Sequence, residues 1–239
     1  GITYPIESFN KIWNKFLETN GLHENGAEPS KIENRIKAYV NEKSKMIGKF
    51  PDISEADTIS TLVEPLLEIL GWKIPDLNEV QRQYPVKGRK GTDFVDLALK
   101  LNGQPKVFVE AKSVGTALDE AAERQVINYA FNYGVDWCVL TNGREIRVYG
   151  TFYGKTTKQR LLFRLAMEEY VKKHNELMRI SKGNIQRLGD WAKTRYAAKM
   201  IKDWIQKNEG RLVEDIAKET SLEKEKVQEA FKRFMANLK

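Results

Sequence analysis

Three charged residues interrupt two otherwise apolar segments: Asp96 within "VDLALKL", and Glu110 and Lys112 within "VFVEAK". On a strand, alternate side chains share a face, so Glu110 and Lys112 point the same way. If Asp96 joins them, two carboxylates and an ammonium converge at one end of a sheet. Buried like charges repel and are costly unless compensated. A divalent cation between Asp96 and Glu110 removes the repulsion, and an oxygen-only ligand pair suits Mg²⁺ or Mn²⁺. Lys112 beside it can hold a water or an anionic oxygen. A hard cation with a lysine is what phosphodiester hydrolysis requires: an activated water, and positive charge where the pentacovalent phosphate gathers negative charge. The plain alternative is a solvated hairpin end carrying ordinary surface charges.

The elements around these residues bear on the choice between the two. "EVQRQY", "TDFVDLALKL" and "KVFVEAK" read as strands, the last two joined by Asn102-Gly103, a strong hairpin signal. A plain two-residue turn there would pair Asp96 with Val109 and send Asp96 and Glu110 to opposite faces. A shared site therefore requires an odd loop or a β-bulge, expected at Gly103 or near Pro105. A helix follows from about Ala117 to Tyr133, with Thr116 as its expected cap, then two strands, "WCVLTN" and "EIRVYG". Upstream, "SEADTISTLVEPLLEILGW" is the strongest amphipathic helix, with Pro65 expected to distort it and Gly71 to end it. Taking Ile59 as the centre of its apolar stripe, Glu55 falls about 40° away and Glu64 about 140° away. Glu55 is therefore expected to point inward and is the better candidate for an additional active-site carboxylate, and Glu64 is expected to face solvent.

Further N-terminal, residues 3–19 read as a helix and 30–47 as another, with Ser30 as its cap. From Thr156 onward the pattern reads as helical throughout, with a break at "SKGN". The expected fold is α/β: a mixed central sheet flanked by helices, with a helical C-terminal extension. The expected division is residues 1–50 as N-terminal helices, 51–153 as the core, 154–208 as basic helices packed on it, and 209–239 as a small appendage. Within the appendage, two helices meeting near Thr220-Ser221-Leu222 have helix-turn-helix spacing. Glu223, Glu225 and Glu229 sit where a base reader would not want them, so a packing or dimerisation role is the preferred reading.

The 239 residues carry a net charge of +7. Residues 154–207 hold 14 Lys/Arg against 5 Asp/Glu, so this segment alone exceeds the net charge of the chain. Concentrated basic charge suits a polyanion such as DNA, although a solvated helix face is the commoner outcome. Trp191, Ile201 and Trp204 are the expected buried stripe of the final basic helix, leaving Lys193, Arg195, Lys199 and Lys202 as phosphate contacts. Arg82, Lys87, Arg89 and Lys90 are a second candidate set, just ahead of the Asp96 strand. The single cysteine, Cys138, lies in the apolar run "WCVL" and reads as a core residue; His23 and His174 are too far apart in sequence to suggest zinc. With no apolar run near membrane-spanning length and no secretion signal at "GITYPIESFN", a reducing, cytoplasmic setting is expected.

Asp96, followed fourteen positions later by Glu110-x-Lys112, resembles the PD-(D/E)xK nuclease motif, with Val95 in place of its nominal proline. Gln125-x-x-x-Tyr129, in "RQVINYA", resembles the QxxxY motif that follows that core in RecB-like and type I restriction nucleases. "EADT…PLLEILGW" and "FNYGVDWCVLTNGREIRVY" look like the N-terminal nuclease region of type I restriction R subunits, so the likeness spans roughly residues 54–150. The resemblance implies a restriction-endonuclease-like fold and Mg²⁺-dependent (or Mn²⁺-dependent) cleavage of DNA. Asp96 and Glu110 would bind the metal, Lys112 would orient the water or stabilise the phosphorane, and Glu55 would support the metal or its water. Gln125 would position the lysine or the substrate, and Tyr129 would contact DNA or pack. "YGKTT" does not complete a P-loop, because the required first glycine is Tyr149. The expectation is a stand-alone nuclease module without the ATPase motor, whose partners are DNA and either a second copy or a separate motor or specificity subunit. A binding subunit that keeps the fold without cutting is the alternative, and a helical interaction protein with an incidental sheet is a third reading.

Overall fold

The computed structural model describes residues 31–88 and 91–237. The expected helix over residues 3–19 and the Ser30 cap lie outside them. The chain divides into two compact units, one ending at Trp191 and the other running from Ala192 to Lys239.

The first unit is built on a six-stranded sheet in the order β1-β2-β3-β4-β5-β6. Its strands are β1 (Val80–Lys87), β2 (Thr92–Leu101), β3 (Gln104–Ala111), β4 (Trp137–Thr141), β5 (Glu145–Gly150) and β6 (Leu161–Ala166). Only the β3–β4 pair is parallel. A parallel neighbour needs a crossover, and the helix Glu120–Asn132 supplies it. Central position explains the composition of β3: Val107 to Ala111 are all buried, because both faces are covered.

On one face, Val126, Ile127 and Ala130 of the crossover helix pack against Phe108, Cys138 and Leu140. On the other lie the helices Lys31–Lys49, here α1, and α2, which runs over residues 55–69. The crossover helix is α3. Leu62, Val63, Leu66 and Leu67 of α2 close over Val109 and Val139. Each fully buried side chain of this size contributes about 1.5–3 kcal/mol. At the β4–β5 turn Gly143 has φ +80, and a Cβ there would lie 2.3 Å from Leu62 Cδ1, so glycine lets α2 settle on the sheet.

Four expectations require correction. Residues 161–166 form β6, not helix: "LLFRLA" buries Leu162, Phe163 and Leu165 against β5, and sheet pairing outweighs helix propensity there. The α3 cap is Asp119, whose carboxylate accepts from Ala122 N at 2.8 Å, rather than Thr116. Glu64 is buried, not solvent-facing, with 7% of its surface exposed. The cause is a π-helical turn over Ile59–Val63, just ahead of Pro65. Such a turn holds one extra residue and sets back everything after it by roughly 100°, which brings Glu64 inward. Pro65 lacks an N–H, so the irregular turn falls where a regular helix would lose a hydrogen bond anyway.

The fourth concerns α6, the helix Leu188–Lys207, for which α4 (Thr157–Arg160) and α5 (His174–Leu177) are the preceding helices. Ile201 and Trp204 are exposed and Trp191 is half-buried. At 100° per residue these two lie about 80° and 140° away from Trp191, so the three never formed one stripe. In the second unit α7 (Glu209–Thr220) and α8 (Lys224–Asn237) follow, joined through Ser221 in the left-handed conformation and packed through Val213 and Val227.

Candidate active site

The hairpin register is what assembles the site. Leu101 pairs with Gln104 and Lys100 with Pro105, but Leu99 then pairs with Val107. The register therefore slips by one residue beside Pro105, leaving Lys106 as the extra residue of a bulge. Leu97 meets Val109, and the next position along sets Asp96 against Glu110 on the α3 face. The bulge lies where the sequence required one.

Asp96 and Glu110 are both buried, at 8% and 4% exposed. Burial first, and the neighbouring Asp96 carboxylate second, push the Glu110 acid up to about 7. Burial also raises Asp96, against the opposing hydrogen bond that its Oδ2 accepts from Ala111 N at 2.8 Å. Lys112 Nζ donates to Glu110 Oε1 at 2.9 Å and lies 3.6 Å from Glu55 Oε2. Burial works against its ammonium, but Glu110, Glu55 and Asp96 together outweigh that and hold Lys112 above the ordinary lysine range. Gln125 Nε2 approaches Glu110 Oε1 at 3.4 Å. Glu110 Oε2 is buried and has no hydrogen-bond partner.

Glu55 arrives from the first turn of α2, which Ser54 caps by accepting from Asp57 N at 3.0 Å. Its side chain is 46% exposed rather than turned inward as the helical phase implied, because it sits in the first turn and reaches Lys112 from the solvent side. Five residues predicted as a cluster are thus linked in space: Asp96, Glu110, Lys112, Glu55 and Gln125. Tyr129 adjoins Gln125 at 3.3 Å.

The basic candidates fare differently. Arg82 holds Glu64 through two hydrogen bonds, one of 2.8 Å, and that ion pair ties β1 to α2. Lys87 lines an open groove with Asp93, Arg124, Gln125, Asn128 and Tyr129. Arg89 and Lys90 lie outside the described residues. Lys193, Arg195 and Lys199 belong to α6 in the second unit. Cys138 is a core residue as expected, its thiol pushed up to about 12 by burial.

Two site residues escaped the sequence reading. Gln83 adopts φ +48 in β1, and its Nε2 reaches Asp96 Oδ1 at 3.3 Å. A left-handed glutamine within a strand is strained, and such strain gathers at functional sites. Asp93 accepts a hydrogen bond from the Tyr129 hydroxyl at 3.2 Å. Neither has a motif; only the β1–β2 register and the position of α3 bring them in.

Asp96 and Glu110 are the residues that could hold a cation. Among the described residues no cluster of three or more His, Cys, Asp and Glu side chains is arranged around a common metal position. Mg²⁺, however, usually takes one or two carboxylates and keeps several waters. The unpartnered Glu110 Oε2, beside a second buried carboxylate, offers the oxygen such an ion needs.

A mixed sheet covered by helices, with two carboxylates and a lysine at the end of neighbouring strands, defines an α/β module consistent with the restriction-endonuclease-like fold. Residues 78–157 match the model of a protein family described as the type I restriction enzyme R protein N terminus. That match contains β2, β3 and α3, and so every site residue except Glu55. Two solved structures are similar at low overall superposition. One is a fragment described as the HsdR subunit of a type I restriction enzyme from Vibrio vulnificus YJ016, 27% identical, covering 51% of this chain and 25% of that one, with a TM-score of 0.39. The other is a DrdV–DNA complex determined by cryo-EM, 14% identical, covering 78% of this chain and 17% of that one, with a TM-score of 0.46. The chain thus spans a quarter or less of either protein. No curated protein matches it.

Proposed function

We propose that the chain is a Mg²⁺-dependent (or Mn²⁺-dependent) DNA endonuclease module that hydrolyses phosphodiester bonds in restriction, defence or DNA processing. The observation that carries this reading is the bare, buried Glu110 Oε2, set beside Asp96 and backed by Lys112. A fold gains nothing in stability from two buried carboxylates and an unpaired oxygen, so the arrangement calls for a ligand.

Asp96 and Glu110 would hold the cation, which when bound supplies an acidified water and positive charge at the scissile phosphate. Lys112 keeps its proton, because the surrounding carboxylates favour the ammonium. It can therefore donate to the attacking water or to a phosphoryl oxygen as negative charge develops. Glu55, partly exposed and facing Lys112, restrains that ammonium and can accept from a water beside it. Gln125 fixes Glu110. Lys87 and Arg124, along the groove, are placed to meet phosphates flanking the cut. The family match at residues 78–157 agrees with a DNA substrate.

The test is nicking of linear, supercoiled, single-stranded and modified DNA with and without Mg²⁺. Wild type should cut only with the cation. Lys112→Ala should lose cleavage by at least about 100-fold, the scale of removing one charge-stabilising donor, while DNA affinity is retained. Wild-type protein that binds DNA without cutting any of these substrates would instead identify a binding subunit.

A further inference from the structure

The hydrogen bonds of the site continue beyond Gln125. Its amide nitrogen has two hydrogens, and two acceptors lie within reach: Glu110 Oε1 at 3.4 Å and the Tyr129 oxygen at 3.3 Å. The Tyr129 hydroxyl in turn donates to Asp93 Oδ2 at 3.2 Å. Asp93 belongs to β2, opposite Val86, and its carboxylate fills the space beside Gly88. A Cβ at Gly88 would lie 2.3 Å from Asp93 Oδ2, so only glycine leaves the carboxylate where it is.

Polarity runs one way along this chain. An ionised carboxylate only accepts, so the one hydrogen of Tyr129 is committed to Asp93. The phenol oxygen can then only accept from Gln125. A flipped Gln125 amide would set its carbonyl against the Tyr129 lone pairs and against the Glu110 carboxylate, two repulsive contacts in place of two hydrogen bonds. We propose that Asp93 is a positioning residue of the cleavage site: acting through Tyr129, it holds the Gln125 amide so that its NH₂ engages Glu110 Oε1 and Glu110 Oε2 stays turned to the cation. Without Asp93, the Tyr129 hydrogen is released to pair with a flipped Gln125 carbonyl, and Glu110 loses a donor that fixes its rotamer. This inference rests on the proposed cation at Glu110.

Mn²⁺ binding to the full chain without DNA, followed by calorimetry, separates the two ideas. If wild type binds no Mn²⁺, the cation reading itself fails. If wild type binds, Asp93→Ala should weaken Mn²⁺ by about 10-fold, as loss of an outer hydrogen-bond partner does at other metal sites. Tyr129→Phe should do the same, and the double variant should be no worse than either, because both break one chain. Asp93→Asn keeps a carbonyl acceptor and should restore most of the affinity. An effect of charge alone would instead make Asn behave like Ala. Gly88→Ala should weaken Mn²⁺ by displacing the carboxylate without removing it. Wild-type Mn²⁺ affinity in both Asp93→Ala and Tyr129→Phe, or additive losses in the double variant, would overturn the proposal.

Discussion

Glu110 bears the electrostatic cost of the site. Its carboxyl, ordinarily near 4.5, titrates at about 7 in the folded chain because of burial and then Asp96. The folded state therefore holds this proton more tightly than the unfolded state. Its stabilising contribution is complete below about pH 4.5 and is lost as pH rises through about 7. At about 1.4 kcal/mol per unit of pKa, the loss is on the order of 3 kcal/mol. Metal-free wild type should show a falling Tm across that window, and Glu110→Gln, which cannot titrate, should be flatter by the same amount. Mn²⁺ should raise the wild-type Tm strongly at pH 8 and little at pH 5, since the cation competes with the proton. Calorimetric melting at several pH values checks this; identical pH profiles for wild type and Glu110→Gln would show that the carboxyl is not strained.

At the scale of elements, two irregularities do most of the placing. The bulge at Lys106 sets Asp96 against Glu110, and the π-turn of α2 swings Glu64 onto Arg82. The second has a measurable consequence. Arg82 is 59% exposed along its side chain, whereas Glu64 is buried. Removing the arginine leaves a buried carboxylate without its cation, so Arg82→Ala should cost about 1–3 kcal/mol, less than for a fully buried pair. Replacing both, Arg82→Met with Glu64→Leu, should recover much of that, because an apolar pair has no desolvation penalty. Urea denaturation measures both. A phosphate-guiding Arg82 would give the opposite pattern, with weaker DNA binding at unchanged stability.

Across the whole molecule, basic charge is divided between the two units. In the first, Arg164, Lys173 and Lys182 are held in ion pairs with Glu145, Glu169 and Glu79. In the second, α6 carries Lys193, Arg195, Lys199 and Lys202 along twenty residues. If this helix anchors DNA phosphates without reading bases, neutralising Lys193, Arg195 and Lys199 together should weaken binding equally for all sequences. Its dependence on log salt should flatten by up to about 3 units of slope, at about 0.9 per phosphate contact. Single-turnover cleavage at saturating DNA should change little. Filter binding at several salt concentrations supplies the measurement, and an unchanged slope would assign this charge to a solvated face.

Local pattern was sufficient for most elements and for part of the candidate site. Strand-like runs joined by Asn102-Gly103 marked β2 and β3, 3.6-residue periodicity marked α2, and the resemblance to a nuclease motif picked out Asp96, Glu110, Lys112, Gln125 and Tyr129. The need for an odd loop or a bulge, at Gly103 or near Pro105, was also legible, because with a period of two a plain two-residue turn sends the carboxylates to opposite faces. What tertiary structure decided was everything set by a neighbour distant in sequence. "LLFRLA" is a strand because β5 offers an open edge, and Glu64 is buried because an extra residue in one turn changes the phase of all that follow. Gln83 and Asp93 enter the site only through the β1–β2 register and the placing of α3. A chain encodes periodicity within a few residues, but register between strands and the phase of an irregular helix exist only once the partners are packed.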